Sequence, residues 1–516
     1  MKLLMVVAMI GLGLLLSGCQ VPKESSARKA LVEEVAPLYD SALRPFYHGV
    51  ASGDPLQDRV ILWTRVTPSD AVASVPVRWE ISTDQNFSSI LQSDTLSTSP
   101  TNDYTVKVDV TELAAGTKYF YRFVALGKTS MVGETKTLPQ QSPEHVKFAV
   151  VSCANWEFGY FNAYARIAEK DLDAVIHLGD YIYEYATGKY GNKNSDRKNL
   201  PSHEIVTLKD YRTRYSQYHL DAGLRQARQR HPFITIWDDH EVANDVYTEG
   251  AQNHQPEEGD FMTRKQAATK AYYEWMPIRE GNRLYRSFSY GDMCDLIMLD
   301  ERLEGRVKPL DSLKDPAYTK EYRTMLGQQQ LDWFQTELKK GTSWKIIGNQ
   351  VMFAPLDQSA INPNQGVNLD SWGGYPLERN KISDFLQSNA IKDVVFLTGD
   401  THASWACEVV NDVRTSSNKN IQNPFAVELG TTSISSGNAN EYAADSEVMQ
   451  REKKLLTTNP HFKYANQRDH GYLLLTVTKD KSTAEWYVVD TLLKIDSAEH
   501  LDKSFNIHRG KSKLLP

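Results

Sequence analysis

Five continuous apolar segments in the second part of the chain constrain its fold more than any other feature. They are residues 147–152, 174–178, 233–237, 345–348 and 393–397. Strands that are apolar along their whole length are typical of sheets covered on both faces by other layers. Helical patterns lie between them at residues 161–168, 264–275 and 328–339. Residues 145–500 are therefore predicted to form an α/β unit of layered sheets flanked by helices.

Residues 44–139 have a different sequence pattern. The runs 59–65, 77–81, 104–110 and 118–123 are short, rich in β-branched and aromatic residues, and several of them alternate apolar and polar positions. Such spacing predicts an all-β domain of the fibronectin- or immunoglobulin-like sandwich type. The chain length of 516 residues also favours two folded units.

The first residues have the pattern of an export signal. A basic residue, Lys2, precedes an apolar run over residues 3–16, and the run ends in Leu-Ser-Gly-Cys19, similar to a bacterial lipobox. We predict a lipoprotein signal peptide at residues 1–18, acylation of Cys19 and a tether over residues 19–43. An ordinary signal peptide or a helical anchor remain alternatives.

The residues around this signal also bear on location. Gln20 stands where an Asp would favour retention at the inner membrane, so the outer membrane is the expected destination of the lipid anchor. No arginine pair precedes the apolar run, so we expect a general secretory route. Residues 501–516 are predicted to be a C-terminal tail, and the protein is expected to be a monomer.

Charge and cysteine content limit the classes of ligand and site that the protein can have. The formal net charge of −7 leaves no basic footprint for nucleic acid, and an anionic substrate would need a cation at the site itself. If Cys19 carries lipid, three of the four cysteines remain, and a metal-bound thiolate is one explanation for an odd exported thiol. Cys294 and Cys407 are either paired or plain buried thiols.

Side chains that bind metals follow four of the buried strands. They are Cys153 after the first, Asp180 and Tyr183 after the second, Asp239 after the third, and Asp400 and His402 after the fifth. In open α/β sheets the carboxyl ends of the strands form the binding rim, so these residues can converge there. Each has an ordinary structural explanation alone, such as a buried cysteine or a helix cap. Together they predict a metal site.

The same residues resemble a known family. The motifs are Gly179-Asp180-x-x-Tyr183, Trp237-Asp-Asp-His-Glu241, Gly399-Asp-Thr-His402, His48-Gly-Val-Ala-Ser-Gly-Asp-Pro55, Val60 to Arg65, Met325-Leu-Gly327, Trp344 to Gln350 and Arg468-Asp-His-Gly-Tyr472. In their order along the chain, across residues 45–490, they resemble the PhoD-like alkaline phosphatases, within the calcineurin-like and purple-acid-phosphatase-like metallophosphoesterases. The resemblance implies a metallophosphoesterase sandwich preceded by the all-β domain.

The resemblance also implies a ferric ion (Fe3+) together with calcium (Ca2+). By analogy the iron ligands are Cys153, Asp180, Tyr183 and His402, with Asp180 bridging, and the calcium ligands are Asp239, Asp400 and Asn244. The residue chemistry permits this, because a phenolate and a thiolate suit a strong Lewis acid whereas carboxylate and amide oxygens suit calcium.

The expected function is hydrolysis of phosphomonoesters, phosphodiesters or both, for phosphate scavenging. Asp180 and Asp239 are expected to act in catalysis through the metals, and His240 to bond a phosphate oxygen or assist the leaving group, unless it only orients a ligand. Arg302 is either a phosphate contact or a surface ion pair, and His177 is expected in the core. The alternatives are a phospholipase D-type phosphodiesterase acting on phospholipid and a non-catalytic surface binding lipoprotein.

Overall fold

The computed structural model describes residues 33–281, 283–341, 344–359, 366–411 and 423–516. The predicted signal peptide, Cys19 and the first part of the predicted tether lie outside these ranges. Among the described helices, none combines the length and apolar character that crossing a membrane requires.

The described residues form 21 strands and seven α-helices. The strands are β1 Val50–Gly53, β2 Val60–Arg65, β3 Val75–Ser82, β4 Gln92–Thr98, β5 Thr105–Val110, β6 Lys118–Ala125, β7 Lys128–Thr129, β8 Gly133–Lys136, β9 Val146–Val151, β10 Ala174–His177, β11 Pro232–Thr235, β12 Arg286–Tyr290, β13 Cys294–Met298, β14 Trp344–Gly348, β15 Val394–Thr398, β16 Ser404–Val409, β17 Ala426–Gly430, β18 Phe462–Asn466, β19 Gly471–Val477, β20 Lys481–Val489 and β21 Glu499–His508. The helices are α1 Asn162–Ile167, α2 Leu208–Tyr218, α3 Ala222–Arg230, α4 Phe261–Trp275, α5 Gly327–Leu338, α6 Pro376–Ser388 and α7 Asp445–Thr458.

Two large sheets carry the α/β unit. One has the strand order β21-β20-β19-β9-β10-β11-β1-β2-β5, and the other has the order β12-β13-β14-β15-β17-β16-β18. Strands β9, β10, β11 and β1 run parallel in the first sheet, and β13, β14, β15 and β17 run parallel in the second. Each of the five predicted apolar segments is one of these parallel strands.

The two sheets pack face to face around a shared apolar core. Leu178, at the end of β10, and Leu397, on β15, belong to this core and are fully buried. The contact is close, because a Cβ added at Gly399 would lie 2.9 Å from the Cβ of Ser152. Consequently the carboxyl ends of strands from both sheets meet at one rim.

Helices cover the outer faces. Helices α5 and α6 and part of α7 bury apolar residues against the outer face of the second sheet, in a core that includes Phe334, Ile382 and Leu455. Helices α1 to α4 pack on the first sheet through residues such as Ile167 and Leu224. The predicted metallophosphoesterase sandwich with flanking helices is confirmed.

The all-β domain is present but is not a separate unit. Its strands β1, β2 and β5 continue the first large sheet, because β1 pairs in parallel with β11 through Ser52↔Pro232 and Gly53↔Phe233. A second sheet, β4-β3-β6-β7 with β8 on β6, packs on them through buried residues including Val60 and Tyr121. The sequence pattern predicts the sandwich. It does not reveal the shared sheet, because that sheet depends on the pairing of β1 with β11, which lies far along the chain.

Both predicted end segments are more structured than expected. Residues 33–43 of the predicted tether form two 3₁₀ turns, and Glu33 pairs with the buried Arg65, which needs a compensating charge. The predicted tail at residues 501–516 is wrong as a boundary. Half of it belongs to β21, where Phe505 and Ile507 are buried, and Leu515 pairs with Asn506.

Candidate metal centre

Loops that follow β9, β10, β11 and β15 bring the predicted ligands to one place. Three groups have donor atoms that all lie within 4.8 Å of one another: Cys153, Asp180 and His402; Asp180, Asp239 and His240; and Asp238, Asp239 and Asp400. Asp180 and Asp239 each belong to two groups, so the three form one continuous cluster. The rim predicted from the strand ends therefore contains five of the seven predicted ligands, and the two others are Tyr183 and Asn244.

Tyr183 does reach the cluster. Its hydroxyl lies 3.0 Å from Oδ2 of Asp180 and 3.1 Å from Nε2 of His402. His402 Nε2 is also 3.9 Å from Asp180 Oδ2. Thus the oxygen of the phenol, the carboxylate and the imidazole nitrogen point at one another, with the thiol of Cys153 beside them. This is the set that the sequence predicted for iron.

The ligand loops are held in unusual backbone conformations. Cys153, Asp180, Asp400 and His402 all have left-handed φ angles, at 60°, 54°, 62° and 51°. Such angles are uncommon for residues other than glycine and cluster at functional sites. Gly179, at φ 105°, adds a turn that no other residue fits, because a Cβ there would lie 2.3 Å from Asp238. The fold thus holds these residues in strained backbone conformations that direct their side chains toward the cluster.

The charges of the cluster fit a cation. Oδ1 of Asp180 is buried and has no hydrogen-bond partner among the described residues. Burial, together with the Asp180 carboxylate, raises the pKa of the Cys153 thiol well above its usual range. A bound cation would offset this burial and favour the thiolate, because buried charges are stable when they are paired or bound to a metal. The residues present therefore suit a metal ion held by sulfur, nitrogen and oxygen.

Arg302 forms ion pairs, but they are buried, so the interpretation as a surface ion pair is wrong in its location. Its role as a phosphate contact stays a prediction. Its side chain is fully buried, and it pairs through Nε with Asp238, through Nη1 with Asp370 at 2.6 Å and through Nη2 with Asp400 at 2.8 Å. Asp239 lies 3.8 Å from Nη2. Each of its three nitrogens therefore contacts a carboxylate at the metal rim.

Two of these carboxylates were missed as site residues. Asp238 directly precedes the predicted ligand Asp239, and that adjacency was the available signal. Asp370 lies in the loop before α6, and it pairs with both Arg302 and Arg306. Nothing in the local sequence distinguishes Asp370 from other loop aspartates. Only the fold brings it to the cluster.

Asn244 is less well placed than the other predicted ligands. Its side-chain Nδ2 donates to Gln252 Oε1 at 3.1 Å, and its backbone N–H donates to Glu184 at 2.8 Å. No contact given for its side chain reaches the cluster. Its role as a calcium ligand stays a prediction.

Hydrogen bonds around the cluster orient its histidines. Nδ1 of His402 lies 3.0 Å from the carbonyl of Gly437 and 3.2 Å from the Tyr190 hydroxyl, which leaves Nε2 facing the metal rim. Nδ1 of His240 lies 2.6 Å from Glu184. Outer contacts of this type fix the ring orientation and the tautomer of a ligating histidine. Neither Tyr190 nor Glu184 was predicted from the sequence as a site residue.

Glu241 fastens two of the ligand loops together. Its carboxylate accepts hydrogen bonds from the backbone N–H groups of Asp180 at 3.1 Å, Tyr181 at 2.6 Å and Asp238 at 2.8 Å. It therefore fixes the spacing between the loop after β10 and the loop after β11. Although Glu241 was part of the quoted motif, this role is visible only in the structure.

The other candidates lie away from the metal rim. His177 is fully buried, with Nε2 2.8 Å from the Tyr164 hydroxyl, which is the core position expected for it. Burial lowers the pKa of His177 to about 3, so its ring is neutral. Cys294 and Cys407 are both free and buried, which decides against their pairing.

Comparison with known proteins agrees with this geometry. Residues 148–486 match the PhoD-like phosphatase family, and residues 34–139 match the N-terminal domain of PhoD-like phosphatases. The chain is 35% identical to alkaline phosphatase D of Bacillus subtilis (strain 168) over 498 residues, covering 91% of this chain and 82% of that protein. A solved structure of PhoD superposes with a TM-score of 0.83 at 34% identity, covering 92% of each chain. The chain belongs to the PhoD-like phosphatase family and is a phosphoric ester hydrolase.

Proposed function

We propose that this protein is an exported, metal-dependent alkaline phosphatase that hydrolyses phosphomonoesters, phosphodiesters or both and so supplies phosphate from esters outside the cytoplasm. One observation carries the proposal: sulfur, nitrogen and oxygen donors from four separate strand ends meet at one rim of the sheets. A phosphate ester is anionic, and the chain as a whole is acidic at −7, so a metal cluster is the positive charge that would attract it.

The proposed metals are a ferric ion and calcium. Cys153, Asp180, Tyr183 and His402 would hold the ferric ion, because a phenolate and a thiolate favour a strong Lewis acid. Asp239 and Asp400, with Asn244 as a further candidate, would supply the oxygen ligands that calcium prefers. Asp180 would be shared, which its position in two of the three donor groups supports.

The protein's own groups have distinct tasks around that centre. When bound, the metals would neutralise phosphate charge and lower the pKa of a coordinated water. His240 is held by Glu184 through Nδ1, and its ring lies beside the predicted ligands Asp180 and Asp239. Although burial disfavours the charged ring, Asp239 and Glu184 outweigh burial and raise the pKa of His240 well above its usual range. A protonated Nε2 can then bond a phosphate oxygen or protonate the leaving group.

The catalytic role is tested by removing single ligands. Asp180→Ala and His402→Ala should each abolish turnover of p-nitrophenyl phosphate while circular dichroism shows an unchanged fold. His203→Ala is the matched control, because His203 is exposed and its partner among the described residues is Asp210, which is not a predicted ligand. Activity that persisted in both ligand variants would contradict catalysis at this centre, whereas a parent protein without any esterase activity would favour the binding-lipoprotein alternative.

The metal assignment has a spectroscopic test. If Tyr183 binds ferric iron, metal analysis of the exported protein should find iron and calcium, and a visible phenolate-to-iron band should be present. Tyr183→Phe should lose the band because it lacks the phenol oxygen, whereas Tyr190→Phe should keep it. A colourless, iron-free but active enzyme would contradict the ferric assignment.

Substrate class separates the enzyme alternatives. We expect activity on p-nitrophenyl phosphate, on its bis ester or on both. Activity confined to phosphatidylcholine would establish the phospholipase D-type alternative, which a lipid anchor close to phospholipid would suit. The proposed anchor rests on the Cys19 motif, and Cys19→Ser should move the protein from the membrane fraction to the soluble fraction.

A further inference from the structure

Six arginine side chains of the described chain are almost completely inaccessible to solvent: Arg65, Arg214, Arg228, Arg264, Arg302 and Arg306. A buried guanidinium is costly unless its charge and its donors are matched. Four of the six contact carboxylates, namely Arg65, Arg264, Arg302 and Arg306. Arg214 instead donates to the backbone carbonyls of Tyr183, Tyr185, Leu200 and Pro201.

Arg228, on α3, is the exception. Its one hydrogen bond runs from Nη2 to the carbonyl of Trp275 at 3.4 Å, and its guanidinium lies 4.5 Å from the ring centroid of Trp63. Its Nε and Nη1 are buried and lack a hydrogen-bond partner within the described ranges. Asp221, on the same helical segment, pairs with Arg197 instead. The charge of Arg228 is therefore not balanced by any described carboxylate.

The neighbours of Arg228 also have buried polar atoms without a described hydrogen-bond partner. His219 is fully buried, and neither ring nitrogen has a partner among the described residues. Its ring centroid lies 5.4 Å from Trp63, 5.1 Å from Trp275 and 5.4 Å from Tyr181. Further buried atoms without described partners are Tyr181 Oη, Tyr215 Oη, Trp275 Nε1 and His48 Nδ1. We call Arg228, His219, His48, Tyr181, Tyr215 and Trp275 the Arg228 cluster.

The chemistry of these atoms favours an anion. Guanidinium and indole nitrogens only donate hydrogen bonds, and hydroxyl and imidazole groups can donate as well. Burial and the nearby Arg228 lower the pKa of His219 well below its usual range, so this ring is neutral. The cluster then carries one net positive charge, which a monovalent ion balances and a doubly charged phosphate would exceed.

We propose that the Arg228 cluster binds a small monovalent inorganic anion of the chloride class. The site is distinct from the metal centre but adjoins it, because Tyr181 lies between the predicted ligands Asp180 and Tyr183. The bound anion would stabilise the loop after β10 from its inner side, while Glu241 holds the Tyr181 N–H from the other. It is a structural ion and takes no part in phosphate ester hydrolysis.

Bromide locates the site directly. Crystals of the unaltered, metal-loaded protein grown or soaked in sodium bromide should show an anomalous peak within hydrogen-bonding range of Arg228 and His219. The position of the peak distinguishes this site from a halide bound to the metals. Ordered water at the cluster with no bromide peak would overturn the proposal.

Thermal stability gives a second measurement. When sodium chloride or bromide replaces sodium gluconate at constant ionic strength, the Tm should rise and then saturate, because the anion binds the folded state. Arg228→Met should abolish this rise. Arg230→Met, on the same helix but exposed and paired with Glu134, should keep it. An equal halide response in Arg228→Met and the parent would refute the site.

Discussion

At the scale of single residues, the metal rim combines ligands with the groups that hold them in place. Arg302 shows this most clearly, since its three nitrogens contact three different carboxylates, those of Asp238, Asp370 and Asp400. A planar guanidinium can span three acceptors in fixed directions, whereas a lysine ammonium is a single point charge. The arginine thus sets the spacing of the oxygen ligands before any substrate arrives.

Replacing Arg302 tests this positioning role. Arg302→Lys should keep the charge but lose the spacing, and the calcium concentration that restores half-maximal activity should rise about 10- to 100-fold. Saturating calcium chloride should recover much of kcat. Arg230→Lys, at an exposed position, should behave like the parent. An unchanged calcium requirement in Arg302→Lys would show that Arg302 only fills space.

The sequence predicted most of the candidate ligands that meet at the rim, but not the residues that hold them in place. Cys153, Asp180, Asp239 and His402 each follow an apolar strand, so the local pattern places them at a sheet end. Asp370 was missed since it follows no strand. The carboxylates around Arg302 come from three different segments of the chain. When a charge is buried by residues that are distant in the chain, its burial cannot be recognised from a short stretch of sequence.

At the scale of elements, one buried carboxylate joins two helices of the second layer. Glu378, on the first turn of α6, accepts hydrogen bonds from the backbone N–H groups of Met325 and Leu326, just before α5. Burial raises the pKa of Glu378 to about 7 from 4.5, although both N–H groups oppose the shift. The folded protein therefore holds this proton more tightly than the unfolded chain does.

The sign of the pH effect follows from that difference. Between pH 4.5 and pH 7 the unfolded chain releases the proton first, so the free energy of unfolding falls as the pH rises, by at most about 3 kcal/mol from this group. Glu378→Gln removes the titration. Its Tm should therefore decline less between pH 5 and pH 8 than the Tm of the parent does. Glu447→Gln, exposed on α7, should match the parent, and a parent-like decline in Glu378→Gln would contradict the shift.

The individual elements were largely predictable. The strand predicted at residues 147–152 is found at Val146–Val151, and the helix predicted at 264–275 is found at Phe261–Trp275. The strand predicted at 233–237 ends earlier, at Thr235, because Trp237 and Asp238 already belong to the ligand loop. Strand partners were not predictable, since hydrophobic patterning fixes the face of a strand but not its neighbour.

At the scale of the whole molecule, the all-β domain and the catalytic unit share one sheet and several contacts. Arg286 pairs with Asp54 at 2.6 Å, and the indole N–H of Trp63 donates to the carbonyl of Glu274 at 2.8 Å. We therefore expect a single unfolding transition for the metal-loaded protein in differential scanning calorimetry. Two resolved transitions, with phosphatase activity lost in only one of them, would show that the two parts unfold separately.

The strand order has a consequence for synthesis. Strand β9, which leads to Cys153, is paired on one side with β10 and on the other with β19, at residues 471–477. A nascent chain that has already made every metal ligand still lacks the neighbour that completes the sheet beneath Cys153. Such distant pairing gives a high contact order and slow folding. We therefore expect metal binding to follow completion of the polypeptide, when β19 is available to pair with β9.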